Sequence, residues 1–110
     1  MPMRFDDKLK SRHLHVAYLV NETGSMTKAS EVLSITQSAI SKTIREIEET
    51  AGATIFHRLG NKLVATEAGN LFLRMATRVL NETRIFREEI RRVNLGQILT
   101  GLSCGEKYLI

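Results

Sequence analysis

Between Gly24 and Gly52 the chain stops and restarts a helical pattern twice, and that punctuation leaves few folds open. Gly24-Ser25 ends one pattern and opens the next: a glycine suits the left-handed turn that closes a helix, and a serine hydroxyl caps the helix that follows. Thr36 repeats the cap after a helix of about two turns, on which Met26, Ala29 and Leu33 share one face. The next helix is expected over residues 37–50, with Ile40, Ile44 and Ile47 at i, i+4 and i+7 forming a single stripe for burial. At about 100° per residue, Ser38, Ser41, Lys42 and Arg45 project from the opposite side, with Gln37 at its edge near the N-terminus. Two capped helices around a tight turn are the sequence form of a helix-turn-helix, whose second helix commonly enters the DNA major groove.

Composition is compatible with that reading. A length of 110 residues allows one domain and an appendage, and 43% hydrophobic residues can build a core. The net charge of +4 leans toward a polyanionic partner. Aromatic content of 5% and the absence of Trp disfavour single-stranded nucleic acid read by base stacking. One cysteine, Cys104, excludes an internal disulfide and fits a reducing, cytoplasmic setting. No apolar run approaches the roughly 20 residues that span a bilayer, and the charged N-terminus lacks a secretory signal, so no membrane partner is expected.

The flanking elements follow from the same rules. Residues 1–8 are expected to fray. A first helix is expected from Leu9 to Glu22, with Leu14, Ala17, Tyr18 and Val20 or Asn21 marking its apolar side. After Gly52, residues 53–56 and 62–65 read as two short strands around a Leu59-Gly60-Asn61 turn, with Arg58 and Lys62 flanking the tip: a β-wing over 55–65. Thr66 then caps a helix that meets no proline before Leu95, roughly 29 residues or about 43 Å. Its apolar residues Ala68, Phe72, Met75, Val79, Phe86, Ile90 and Val93 recur at three-four spacing. That stripe is longer than a small body can cover, so a helix-to-helix homodimer seam is expected; ordinary core is the alternative for Met75 and Phe86. The glycine-bounded apolar run from Gly96 to Leu102 reads as the opening strand of another domain. The expected fold class is mainly α: a winged helix-turn-helix of three helices plus a two-stranded β-wing (residues 1–65), a long linker and dimerisation helix (66–95), and a remnant or disordered tail (96–110).

In order along the chain stand Glu22-x-Gly24-Ser25, Thr27-x-Ala29, Leu33, Gln37-Ser38-Ala39-Ile40-Ser41, Ile44, Ile47-Glu48, Gly52, Ile55-Phe56-x-Arg58 and Thr66-Glu67-Ala68-Gly69. This set resembles the N-terminal DNA-binding region of bacterial LysR-type transcriptional regulators, over about Leu9 to Leu95. The resemblance implies sequence-specific binding of double-stranded DNA by a dimer. The third helix would lie in the major groove and the wing at the minor groove. Carried over by position, it implies DNA contacts from Thr27 and Lys28, from Gln37, Ser38, Ser41, Lys42 and Arg45, and from Arg58 and Lys62 on the wing. Thr36 joins them as a cap that can also meet a phosphate. The dimer contacts would come from Phe72, Met75, Val79, Phe86, Ile90 and Val93. Ser38 stands where the family usually has proline, Ala17 where it has a bulky aromatic, and Ala65 where it has leucine. The family's inducer-binding effector domain has no counterpart beyond the run at Gly96, so no small-molecule inducer is expected on this chain. The alternative reading is a truncated interaction protein that heterodimerises through the linker helix with a full-length relative and antagonises it.

The chemistry available is contact, not turnover. Gln can pair bidentately with adenine, and Lys or Arg with guanine O6 and N7. The free N–H groups at the start of the third helix suit a phosphate. Against this stand plainer roles: a polar face touching water, an Arg58 paired with a nearby glutamate, and Ser25, Thr36 and Thr66 acting as caps. His13 and His15 lie two apart and point to different sides, without a carboxylate or cysteine at metal-binding spacing. His57 is expected to face solvent. No catalytic constellation, phosphate-binding glycine loop, cofactor site or metal site is expected.

Overall fold

A computed structural model of the protein describes residues 8–100. Its elements run α1 (Ser11–Thr23), α2 (Met26–Leu33), α3 (Gln37–Ala51), β1 (Phe56–Leu59), β2 (Lys62–Ala65) and α4 (Glu67–Thr100). Each boundary has a chemical cause. The Ser25 hydroxyl accepts the Lys28 N–H at 3.2 Å, Thr36 accepts from Ala39 at 3.0 Å, and Thr66 accepts from Gly69 at 2.9 Å. Gly24 and Gly52 close α1 and α3 at φ +68° and +70°, the left-handed region a side chain resists.

Contacts divide the chain into two units, Met1–Leu80 and Asn81–Ile110. In the first, α1, α2 and α3 pack on one another around Leu14, Val16, Ala17, Val20, Ala29, Ile40, Ile44 and Ile47, joined by Ile55, Phe56, Phe72, Leu73 and Ala76. Ile40 and Ile47 have no exposed surface and Ile44 is 4% exposed, so the expected stripe is the anchor of α3. Met26 and Leu33 are half-buried against that core. The first helix starts at Ser11 rather than Leu9, and its apolar side is completed by Val16; Tyr18, assigned to that side from spacing, is 39% exposed. Ala17 is fully buried, so the small residue sits in the core without Tyr18 beside it as filler.

The wing is a two-stranded antiparallel sheet pairing Phe56 with Ala65 through Leu59 with Lys62. Its first strand lies three residues later than expected. The reason is that the backbone of 53–55 is already committed: Ala53 N–H donates to Glu48 O, Ile55 N–H to Glu48 Oε2 at 2.9 Å, and Thr54 O accepts the Thr66 hydroxyl. The ladder can begin only at Phe56. Gly60, at φ +65°, starts the two-residue turn. Leu63 N–H donates to Gly24 O at 3.0 Å, tying the wing to the end of α1.

Two further corrections concern α4. Phe72, expected at a dimer seam, is 5% exposed and packs within the first unit's core; Met75 is half-buried against the same core. The helix continues to Thr100, so residues 96–100 are helical rather than the start of a strand. A short apolar run gives no periodic signal that separates strand from helix, and a single glycine lowers helix propensity without ending it. The remainder of that run and Cys104 lie outside the described residues. In the second unit Phe86 is 60%, Ile90 41%, Val93 38% and Leu95 53% exposed, and Arg84 pairs with Glu88 one turn on, at 2.9 Å.

Candidate nucleic-acid interface

The turn between α2 and α3 is closed by backbone: Ser34 N–H donates to Glu31 O and Ile35 N–H to Ser30 O. Ser34 takes φ +57°, the one non-glycine residue with positive φ among the described residues. With the isoleucines of α3 buried, its opposite side is left to solvent. Gln37, Ser38, Lys42 and Arg45 are exposed and Ser41 is half-buried, so the five expected residues share one accessible face. Thr27 and Lys28, in the first turn of α2, are also exposed, and Thr27 joins the group directly: its hydroxyl donates to Gln37 Oε1 at 3.1 Å. Thr36 is exposed while serving as the cap of α3.

Lys42, Arg45, Arg58 and Lys62 form no ion pair with any described residue. None of the four is tied up in an ion pair, which suits a polyanion-binding surface. Arg58 and Lys62 are exposed on opposite strands of the wing, near its tip; Arg58 pairs in the ladder with Leu63. His57 is exposed on the same strand.

Spacing gave no hint of what holds Glu46. Glu46 follows Arg45 on α3, and its carboxylate accepts from His13 Nε2 at 2.9 Å and lies 3.6 Å from the Arg12 guanidinium. The His13 hydrogen bond, with the positive charges of Arg12 and Lys42 nearby, holds the Glu46 carboxyl below the usual carboxylate range. His13 is 1% exposed, and its Nδ1 accepts the Lys10 backbone N–H at 2.9 Å. Nδ1 must then be unprotonated, so Nε2 carries the hydrogen that it donates to Glu46. His13 thus caps α1 and draws the acid of α3 toward α1. The local part of this, an acceptor three residues after Lys10, was readable in sequence; the Glu46 partner was not, because it lies far along the chain. His15 is exposed on the other side. Among the described residues no group of three or more His, Cys, Asp or Glu could hold a metal ion, and no helix is long and apolar enough to cross a membrane.

A second missed residue is Gly69. A Cβ there would meet the Ile55 carbonyl oxygen at 2.1 Å, so the first turn of α4 packs directly on the backbone entering the wing. In the sequence Gly69 stands only as the last residue of the Thr66-Glu67-Ala68-Gly69 run, with nothing to mark the Ile55 backbone as its neighbour.

This architecture coincides with a family defined by sequence. Residues 11–70 match the bacterial regulatory helix-turn-helix proteins of the lysR family, and the chain belongs to that family. It is 34% identical over 99 residues to the transcriptional regulator MetR of Haemophilus influenzae, covering 87% of this chain and 32% of MetR. To the regulator CfxR of Cupriavidus necator it is 32% identical over 103 residues, covering 91% of this chain and 32% of CfxR. The chain thus spans about a third of the length of these relatives. The fold superimposes on the solved BenM DBD/catB site 1 DNA complex with a TM-score of 0.74 at 28% identity, covering 78% of this chain and 96% of that one.

Proposed function

We propose that this chain is the part of a LysR-family transcription regulator that reads double-stranded DNA in a sequence-specific manner. In this reading α3 lies in the major groove, the wing rests at the adjacent minor groove or backbone, and two copies bind together through α4. The observation that carries it is the sidedness of α3: three isoleucines buried, and Gln37, Ser38, Lys42 and Arg45 exposed on the opposite side with Ser41. Lys42 and Arg45 suit guanine edges or phosphates, Gln37 a base edge, and Ser38, Ser41, Thr36 and Lys28 the backbone at the helix N-termini. Arg58 and Lys62 add positive charge where a wing meets the duplex. Homodimerisation is supported by Val79, Phe86, Ile90 and Val93, whose side chains are 38–60% exposed on one helix. Two recognition helices related by a twofold axis would read the arms of an imperfect palindrome.

Selection of bound sequences from a random duplex pool, followed by titration at several salt concentrations, tests the reading. The expected result is an enriched motif with two related arms. If the dimer neutralises about six to ten phosphates, affinity should fall about 10³–10⁵-fold between 50 and 200 mM salt. No enriched motif, or an affinity indifferent to salt, would overturn it.

A further inference from the structure

Two of the exposed residues near the helix-turn-helix are not independent. Thr27 stands in the first turn of α2 and Gln37 is the first residue of α3, so they belong to different helices brought together by the turn at Ser34. The Thr27 hydroxyl donates to the Gln37 side-chain oxygen at 3.1 Å. A glutamine carboxamide carries one acceptor oxygen and two donor hydrogens, and which end meets a ligand decides what it recognises. Here the oxygen end is turned toward α2, which leaves the amide N–H groups for a ligand in front of the helix.

We propose that Thr27 is a positioning residue for base recognition: it holds the Gln37 carboxamide by its oxygen, so that Gln37 approaches the duplex as a donor. The base edge it selects then offers acceptors, guanine N7 and O6 or thymine O4, rather than the donor-plus-acceptor pattern that adenine presents to an unrestrained glutamine. The inference rests on the reading that α3 occupies the major groove, and it adds which end of Gln37 does the reading and what fixes it. The energetics favour such a device. Glutamine is rotamer-rich, so holding it in one arrangement before docking lowers the entropy lost on binding. On the free protein the hydrogen bond is exposed to water and weak; once a duplex expels that water, the same bond strengthens.

The test uses the full chain. A duplex is selected from a random pool with the wild-type protein, and that duplex and its single-base-pair variants are titrated. The proteins compared are wild type, Thr27→Val, Thr27→Ser, Gln37→Ala and the double variant Thr27→Val with Gln37→Ala. Gln37→Ala should lower discrimination at one base pair by about tenfold. Thr27→Val, which keeps the β-branched shape without the hydroxyl, should lower discrimination at the same base pair by a similar factor. The double variant should lose no more than either single one, and Thr27→Ser should retain discrimination. Thermal melting of the exposed-site variants checks that they remain folded. The proposal is overturned if Thr27→Val weakens every duplex alike, since its hydroxyl would then serve a phosphate directly. It is overturned equally if the two substitutions act independently. A wild-type protein that enriches no sequence would refute the DNA-reading function itself, a result separate from any of these.

Discussion

Helices α3 and α4 carry apolar stripes written in the same way and treated in opposite ways. Ile40, Ile44 and Ile47 lie at helical spacing on α3 and are 0–4% exposed. Phe86, Ile90 and Val93 lie at similar spacing on α4 and are 38–60% exposed. A periodic stripe shows that a helix has one apolar side; it does not say what covers that side. On α3 the cover is supplied within the first unit, by α1 and α2 and by Ile55 and Phe56. The early turns of α4 are treated like α3, with Phe72, Leu73 and Ala76 buried, so the change of fate falls within one continuous helix. Function divides accordingly. In the proposed reading, burial on α3 leaves its polar side free for DNA, whereas on α4 the exposed apolar side itself is the surface for a second copy.

Truncating one residue in each stripe should separate their roles. Ile47→Ala should destabilise the fold by about 2–5 kcal/mol, because it removes a fully buried side chain and leaves a cavity. Phe86→Ser should leave the melting temperature unchanged at low concentration and abolish its rise with concentration, with sedimentation showing fewer dimers. Equal loss of melting temperature from both substitutions at low concentration would mean the two stripes do not differ.

Gly69→Ala sharpens the boundary between them. The added methyl would strike the Ile55 carbonyl oxygen, a backbone atom that cannot step aside as a side chain can. Urea denaturation should register a loss of about 3 kcal/mol, at the upper end for overpacking. Ser34→Gly works in the other direction, relieving a left-handed residue in the turn before α3, and should add up to about 1 kcal/mol to stability. The smallest effect concerns acid. Because folding lowers the Glu46 carboxyl below its ordinary value of 4.5, its contribution is fully present above that pH and fades as the pH falls through the folded-state value. Glu46→Gln should therefore flatten part of the stability loss in acid, read from melting temperatures between pH 6 and 3.

How much of this could be read beforehand depended on range. Caps at Ser25, Thr36 and Thr66, the glycine closures and the α3 stripe are set by residues within a few positions of one another, and all were legible. The accessible face of α3 followed from the stripe by simple geometry. The first wing strand was misplaced because Glu48 and Thr66 claim the backbone of 53–55 from either side, a competition that spacing cannot display. Nothing local to Gly69 announces the Ile55 backbone packed against it. Tyr18 and Phe72 were assigned to the wrong surroundings for the same reason: a residue's side of a helix can be counted, but its neighbour cannot. The Thr27–Gln37 and His13–Glu46 contacts join separate helices and carry no local signature.

DNA reading by this chain depends, as proposed, on the outward side of α3. Its most direct test is a competition titration of the full chain between its selected duplex and a scrambled duplex of equal length, for wild type and for Arg45→Ala. Wild type should prefer the selected duplex by about 10³-fold or more, and Arg45→Ala should lose about 1–3 kcal/mol of that preference with its melting temperature unaltered. Equal affinity of the wild type for both duplexes, or an unchanged preference in Arg45→Ala together with Lys42→Ala, would contradict it.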